Sequence, residues 1–309
     1  MGAATHLGCC VPVCVAFHPD ADHRNEAGGD FCEGVARFAK EGAGMDDPIR
    51  AFSLSGRRAV VVGAATGIGR QAAITFARAG ASLIIADINA EELALTADQV
   101  RACGGEVEAR TVDVRAREEI DALAAFAAAR GRIDVWANTA GVISLMPVVQ
   151  SDPAELDRIL DINMKGTFWC CAAAAKTMLV QRSGSIINMS SSGADMPAPG
   201  LSAYTMSKAA VNMLTRTLAV EVGASGVRVN AVAPGFIDTP MVEYRFRDNM
   251  GQVDLAAKEK RFAEVAALAP LSRVGEPIDI ALTMLYLASD ASSFVTGQVI
   301  RPNGGLTMP

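Results

Sequence analysis

The chain has three tyrosines, and only Tyr204 is followed four residues later by a cation, Lys208; Tyr244 and Tyr286 have Asp248 and Asp290 at that spacing. On a helix, positions i and i+4 share a face, so the phenol and the ammonium can point into one site. An ammonium beside a phenol favours the phenolate, which is expected to bring Tyr204 down from about 10 toward neutrality. A phenol tuned in this way is a general acid and base for an alcohol or a ketone. Ser191 lies 13 residues upstream, just past the run GSIINMS, where its hydroxyl can donate to a substrate oxygen. Asn163 stands inside an otherwise helical stretch, DINMKGTFWC, although Asn is a poor helix-interior residue. Its presence there suggests a broken backbone bond and a bound water leading toward Lys208.

A second constellation is built for an anion. The run AVVVG leads into Gly63-Ala64-Ala65-Thr66-Gly67-Ile68-Gly69 and then an Ala-rich helical stretch. Gly63 allows the tight turn, Gly67 lets backbone approach a pyrophosphate, and Gly69 lets helix and strand pack closely. The helix start offers free N–H groups and partial positive charge. Asp87 follows Gly69 by 18 residues, at the end of the next apolar run. A carboxylate there accepts from adenosine ribose hydroxyls and repels a 2′-phosphate. Ile88 comes next, no Lys or Arg lies within the loop before Gly67, and Arg70 sits one residue past Gly69. NAD is therefore expected over NADP. Asp113 and Val114, at the end of a third run, are candidate adenine contacts.

These residues need a scaffold, and the pattern supplies one. Short β-branched runs at 59–63, 82–87, 106–114, 133–138, 184–190, 227–233 and 297–300 alternate with helical stretches near 67–79, 90–103, 115–130, 153–181, 204–223 and 276–289. Continuous apolar strands imply a sheet covered on both faces, a doubly wound parallel α/β fold of seven strands. Residues 45–309 show no composition break and are expected to form one domain. The segment 239–270 is mixed in charge, rich in Met, Phe and Arg, and placed like a substrate lid.

Composition narrows the function classes. The chain has 309 residues, half of them hydrophobic, with a net charge of -6 that argues against a nucleic-acid partner. No apolar run reaches about 18 residues, so no membrane helix is expected. All three histidines (His6, His18, His23) and four of the seven cysteines (Cys9, Cys10, Cys14, Cys32) fall in residues 1–44. Their C-C-x3-C-x3-H-x4-H spacing matches no common zinc pattern, and no metal site is expected. Gly8 to Phe17 is apolar but has no basic flank, so it does not read as a secretory signal. Residues 1–44 are expected to be a weakly ordered extension, or to lie upstream of a true start at Met45. Cys103, Cys170 and Cys171 sit in apolar helical contexts, as small core residues of a reducing, cytoplasmic compartment.

From about 52 to 305 the sequence resembles the short-chain dehydrogenases/reductases, NAD(P)-dependent enzymes of the Rossmann type. The resemblance rests on GAATGIG (63–69), Asp87, Asn138-Thr139-Ala140-Gly141, Asn163, Ser191, YTMSK (204–208), PGFIDTP (234–240) and FVTGQVI (294–300). It implies a catalytic tetrad of Asn163, Ser191, Tyr204 and Lys208, with Lys208 also holding the nicotinamide ribose and Asn163 anchoring a relay water through its backbone. It further implies cofactor contacts at Thr66, Ile68, Asn138, Ala140 and Gly141, with Pro234 and Gly235 on the nicotinamide face and Ile237 and Thr239 at its carboxamide. A homotetramer built through two long helices and the last strand is implied as well. Val62, Thr139 and Asn303 depart from the family's usual Thr, Asn and Asp.

The expected activity is NAD-dependent interconversion of a secondary alcohol and its ketone. The candidate pocket lining is Ile143, Leu145, Ser192, Ala194, Met196, Phe236, Met241 and Val242, apolar and without a charge for an anionic substrate. That suits a hydrophobic, steroid-like or acyl substrate. The alternative is an NADPH-dependent 3-oxoacyl carrier-protein or CoA reductase. Arg182 fits one carrier-docking position of that group, but Ser225 stands where a second Arg is expected. The lid bases Arg245, Arg247, Lys258, Lys260 and Arg261 are interleaved with acids and read as a solvated face. A non-catalytic nucleotide-binding scaffold should have lost Ser191, Tyr204 or Lys208, and all three are present. Deleting residues 1–44 is expected to leave turnover and cofactor affinity unchanged. A truncated protein that folds but does not turn over would give the histidine-rich head a role.

Overall fold

A computed structural model describes residues 47–243, 246 and 251–309. The expected boundary at 44/45, and the Cys and His residues of the head, lie outside the described residues. So do the lid bases Arg245 and Arg247.

Seven parallel strands form one sheet in the order β3-β2-β1-β4-β5-β6-β7. They are β1 (Arg58–Val62), β2 (Ser82–Asp87), β3 (Val107–Thr111), β4 (Val135–Asn138), β5 (Gly184–Met189), β6 (Val227–Val232) and β7 (Val299–Ile300). The helices are α1 (Gly67–Arg78), α2 (Ala90–Ala102), α3 (Arg117–Ala128), α4 (Pro153–Leu160), α5 (Thr167–Gln181), α6 (Ser202–Val222), α7 (Pro240–Glu243), α8 (Leu255–Leu268) and α9 (Pro277–Ala288). The doubly wound α/β expectation holds.

Alternation along the strands divides the core in two. Ala59 and Val61 of β1 face α1, α2 and α9, packing with Phe76, Leu93 and Met284. Val60 and Val62 face α3, α5 and α6, packing with Ile120, Met178 and Val222. Both sets are buried, which is why the strands read as continuous apolar runs. Local signals start the helices. Asn89 accepts from Glu92 N at 3.1 Å to cap α2, Asp254 accepts from Ala257 N at 2.9 Å to cap α8, and Glu276 and Asp279 form a capping box on α9.

Three boundaries differ from the sequence reading. The third run, expected over 106–114, is a strand only from Val107 to Thr111. It is the sheet edge, and beyond Thr111 the chain turns away to form the Asp113–Arg115 pair. The last strand is two residues long, because Gly297 takes a positive φ of 70° and only Val299 and Ile300 pair with β6. The long helix expected over 153–181 is interrupted by a π-turn at Asp161–Gly166. There the Thr167 hydroxyl also donates to the Asn163 carbonyl at 2.8 Å, so the irregularity falls where Asn163 interrupts the helical stretch.

Phe76 is fully buried where α1 meets α9. Phe76→Ala should cost about 3–5 kcal/mol of unfolding free energy, read from a urea titration. A cost below about 1 kcal/mol would mean this helix pair does not form the core described.

Candidate active site

The strand order reverses between β1 and β4, and a cleft of about 750 Å³ opens at the carboxyl ends of the strands there. Close packing builds its floor. A Cβ on Gly63 would collide with the backbone of Ala140, and one on Gly69 with the Gly63 carbonyl and the Thr139 hydroxyl. That hydroxyl donates to Val62 O at 2.7 Å and to Gly63 O at 3.1 Å. Thr139, a departure from the usual Asn, thus ties the end of β4 to the end of β1. The Gly67 turn has φ of 53°. Helix α1 begins there, presenting its first N–H groups to the cleft.

At the far end, the Asp87 carboxylate accepts from Ala65 N at 3.0 Å and Asn89 N at 3.0 Å. These bonds fix it on the cleft wall beside Ile88. Arg70 is turned away. Its guanidinium holds Glu92 at 2.6 Å, Thr96 Oγ1 at 2.9 Å and the carbonyl of Ala65. Asp113 and Val114 also line the cleft. The Asp113 carboxyl is gripped by the Arg115 guanidinium, which holds it below the usual carboxylate range.

Gly63, Thr66, Gly67, Ile68, Gly69, Asp87, Ile88, Asp113, Val114, Ala140, Gly141, Pro234, Gly235, Ile237 and Thr239 all line this one cleft. Asn138 does not. Its side chain is buried below the floor, accepting from Trp136 Nε1 at 2.8 Å and donating to Asn188 Oδ1 at 2.8 Å. Asn188 in turn donates to Thr215 Oγ1 at 3.0 Å.

Tyr204 and Lys208 lie one turn apart on α6, both reaching the cleft from one helix face. Ser191, past β5, hydrogen-bonds the Tyr204 hydroxyl. Its Oγ accepts Gly193 N–H at 3.0 Å, which leaves the hydroxyl proton to point elsewhere. Asn163 is fully buried and stands behind the cleft wall. Its Oδ1 accepts Val142 N–H at 2.8 Å, and its Nδ2 donates to Val142 O at 2.9 Å and to Ser207 Oγ at 3.1 Å.

The expected lowering of the Tyr204 pKa is not produced by the chain's own groups. Burial pushes the phenol up, opposed only by the Ser191 hydrogen bond. The Lys208 amine is 5.8 Å from the Tyr204 ring centre and donates to the Met189 carbonyl at 2.9 Å. Burial pulls Lys208 down to about 8.

At the open end, Ile143, Ser192, Met196, Phe236, Met241 and Val242 line the cleft, whereas Leu145 and Ala194 do not. Val265, Leu268 and Leu306 complete an apolar wall. The first two lie in the expected lid, but nothing local marked Leu306. The lid helix α8 is tied down by Lys258, which bridges Asp238 at 3.0 Å and Glu243 at 3.5 Å. The expectation of an uncharged lining needs correction, because Arg158 and Arg261 reach the cleft wall. Each is paired: Arg158 with Glu155 at 2.7 Å and Arg261 with Glu264 at 3.0 Å. Among the described residues no group of His, Cys, Asp and Glu could hold a metal ion.

A family model described as enoyl-(acyl carrier protein) reductase matches residues 63–307. The chain is 37% identical over 256 residues to the 3-oxoacyl-[acyl-carrier-protein] reductase FabG of Thermotoga maritima, covering 82% of this chain and 99% of that protein. It is 36% identical over 260 residues to the galactitol 2-dehydrogenase (L-tagatose-forming) of Cereibacter sphaeroides, covering 83% and 97%. A crystal structure of a short-chain type dehydrogenase/reductase from Mycobacterium marinum superposes with a TM-score of 0.78 at 34% identity, covering 85% of this chain and all of that one. The chain belongs to the short-chain dehydrogenase/reductase family. It is an oxidoreductase that acts on the CH–OH group of an alcohol, or on the ketone, with NAD(P).

The buried Lys208 amine makes a measurable claim. Its pKa is about 8 in the folded chain against an ordinary 10.5. Between those values the unfolded chain binds a proton that the folded chain does not, so this group adds stability as pH rises. The stability difference between the parent and Lys208→Met should therefore move in the parent's favour between about pH 8 and pH 10.5. Urea midpoints for both proteins across that range test it, and a flat difference contradicts a buried amine.

Proposed function

We propose that this chain is an NAD-linked dehydrogenase of secondary alcohols whose substrate carries a sizeable apolar group. The observation that carries the cofactor assignment is the fixed Asp87 carboxylate on the cleft wall, with Arg70 tied to Glu92 and Ile88 in place of a cation. A 2′-phosphate brought there would meet a negative charge with no guanidinium released to offset it. Arg115 also lines the cleft, but its guanidinium is engaged by Asp113. The glycine turn, whose Gly63 and Gly69 let the end of β1, the start of α1 and the Thr139-Ala140 backbone close up tightly, fits a pyrophosphate lying against the start of α1.

The nicotinamide ring, when bound, supplies or accepts the hydride. The chain's own groups handle the proton. Tyr204 takes a proton from the substrate hydroxyl on oxidation and returns it to the carbonyl oxygen on reduction. Ser191, its Oγ already accepting from Gly193, donates to that same oxygen and stabilises the charge that develops on it. Asn163 holds Val142, and with it the loop beside Lys208, at a fixed distance from α6. Lys208 sits where it can hold ribose hydroxyls, and the Ser191 hydrogen bond is the chain's own group that favours the ionised phenol.

Apolar side chains dominate the open end, and the two arginines there are occupied by carboxylates. This supports a hydrophobic alcohol or acyl substrate. The similarity to FabG favours a second reading, an NADPH-dependent acyl-thioester reductase. Assembly into a homotetramer is supported by exposed apolar side chains on the long helices, Phe168 and Val180 on α5 and Met213 and Val220 on α6. The thiols of Cys103, Cys170 and Cys171 are free, in keeping with a reducing, cytoplasmic compartment.

With a panel of secondary alcohols, kcat/KM for NAD should exceed that for NADP by at least about tenfold, the equivalent of ~1.4 kcal/mol. A preference for NADPH would reject this reading in favour of the thioester reductase. Tyr204→Phe should lower turnover by about 10³-fold while NADH still binds. Turnover that survives the substitution would remove Tyr204 from the chemistry.

A further inference from the structure

The segment after β7 folds back on itself and is held at both ends. Arg301 grips Asp195 through Nε at 2.8 Å and Nη2 at 3.1 Å, four residues beyond Ser191. Pro302 O accepts Gly235 N–H at 3.3 Å, so the segment backs the loop that carries Pro234 and Gly235. Asn303 is buried. Its Oδ1 accepts Gly305 N–H at 2.8 Å, and its Nδ2 donates to Thr307 O at 2.8 Å and Thr307 Oγ1 at 2.7 Å.

One amide thus closes a hook over residues 303–307. Gly304 and Gly305 make the turn with φ of 65° and 88°. Gly304 O accepts Leu271 N–H at 3.1 Å, and Gly305 packs against Pro270, so the hook is fastened to the end of the lid. Leu306 is the residue this geometry delivers into the cleft, which Val265 and Leu268 also line. Both protons of the Asn303 amide are used toward oxygen atoms. A carboxylate in that place has no proton to give and would face the Thr307 carbonyl oxygen.

We propose that residues 303–307 form a specificity wall, in which Asn303 is a positioning residue and Leu306 selects substrates with an apolar substituent. The proposal rests on the reading of this cleft as an alcohol and ketone site. It adds which side chain makes the choice and which amide sets it there. An apolar group entering the cleft is desolvated against Leu306, Val265 and Leu268, and a small ketone leaves that wall uncovered.

The test uses the full chain carrying Tyr204→Phe, saturated with NADH, so that ketone binding is read without turnover. Dissociation constants for 4-phenylbutan-2-one and butan-2-one are measured from the fluorescence of the bound NADH. The apolar ketone should bind more tightly by about tenfold or more, and adding Leu306→Ala should remove most of that ratio while NADH affinity stays the same. Adding Asn303→Asp should remove the ratio in the same way. It should also speed deuterium exchange at the amides of Gly305 and Leu306, which Leu306→Ala should not do.

A ratio unchanged by Leu306→Ala, or no preference for the apolar ketone to begin with, overturns the wall. Slow exchange and a full ratio in Asn303→Asp overturn its positioning role. If Asn303→Asp does not fold, Thr307→Val, which removes one of the two acceptors, should partly reduce the ratio, and no reduction overturns that role. Failure of the underlying reading shows separately, as turnover of 4-phenylbutan-2-ol with NAD that survives Tyr204→Phe.

Discussion

The Asn163 side chain takes both backbone hydrogen-bonding groups of Val142 and the hydroxyl of Ser207 in one buried fork. It fixes the loop leaving β4 against α6 and so sets the distance between the glycine floor and the Tyr204–Lys208 face. The helix on which Asn163 stands widens there into a π-turn, and the Thr167 hydroxyl donates to the Asn163 carbonyl. Side-chain amides in apolar surroundings cost several kcal/mol when unpaired, roughly 1–3 per group on mutational scales, so the fork has one low-energy arrangement.

Charge placement follows from the same economy of partners. Arginines near the cleft are each assigned: Arg70 to Glu92, Arg115 to Asp113, Arg158 to Glu155, Arg261 to Glu264. The Lys208 amine differs: it donates to the Met189 carbonyl, a neutral partner. A buried cation with a neutral partner titrates low, and burial pulls Lys208 down to about 8. The pair with Tyr204 is therefore a geometry first and an electrostatic device second.

Much of this was legible from residue types because the signals are local. The glycine turn, the alternating strands and the Asn in mid-helix each report their own neighbourhood, and the sheet order and the π-turn agree with them. What escaped depends on contacts distant in sequence. The motif says nothing of the Asn138 side chain, which Asn188, fifty residues on, holds in the core. The downward pull on Tyr204 was inferred from spacing, which says nothing of the Met189 carbonyl that claims the amine. Leu306 gave no signal at all, since only the Asn303 hook brings it to the cleft. Arg158 approaches from α4, far from the motifs, and Arg261, whose interleaved acids suggest a solvated lid face, reaches the cleft from α8.

The buried amides of Asn138 and Asn188 face each other as direct register partners on β4 and β5. Parallel neighbours made of Val, Ile and Ala could slide past one another with little change in apolar contact. These two could not: a slip of one residue turns each amide to the opposite sheet face and strands its donors among hydrocarbon. Thr215 and Trp136, bonded to the same pair, enforce the alignment from α6 and from β4 itself. The polar ladder beneath the cleft thus acts as an index mark during assembly, admitting one alignment of the central strands and rejecting its neighbours.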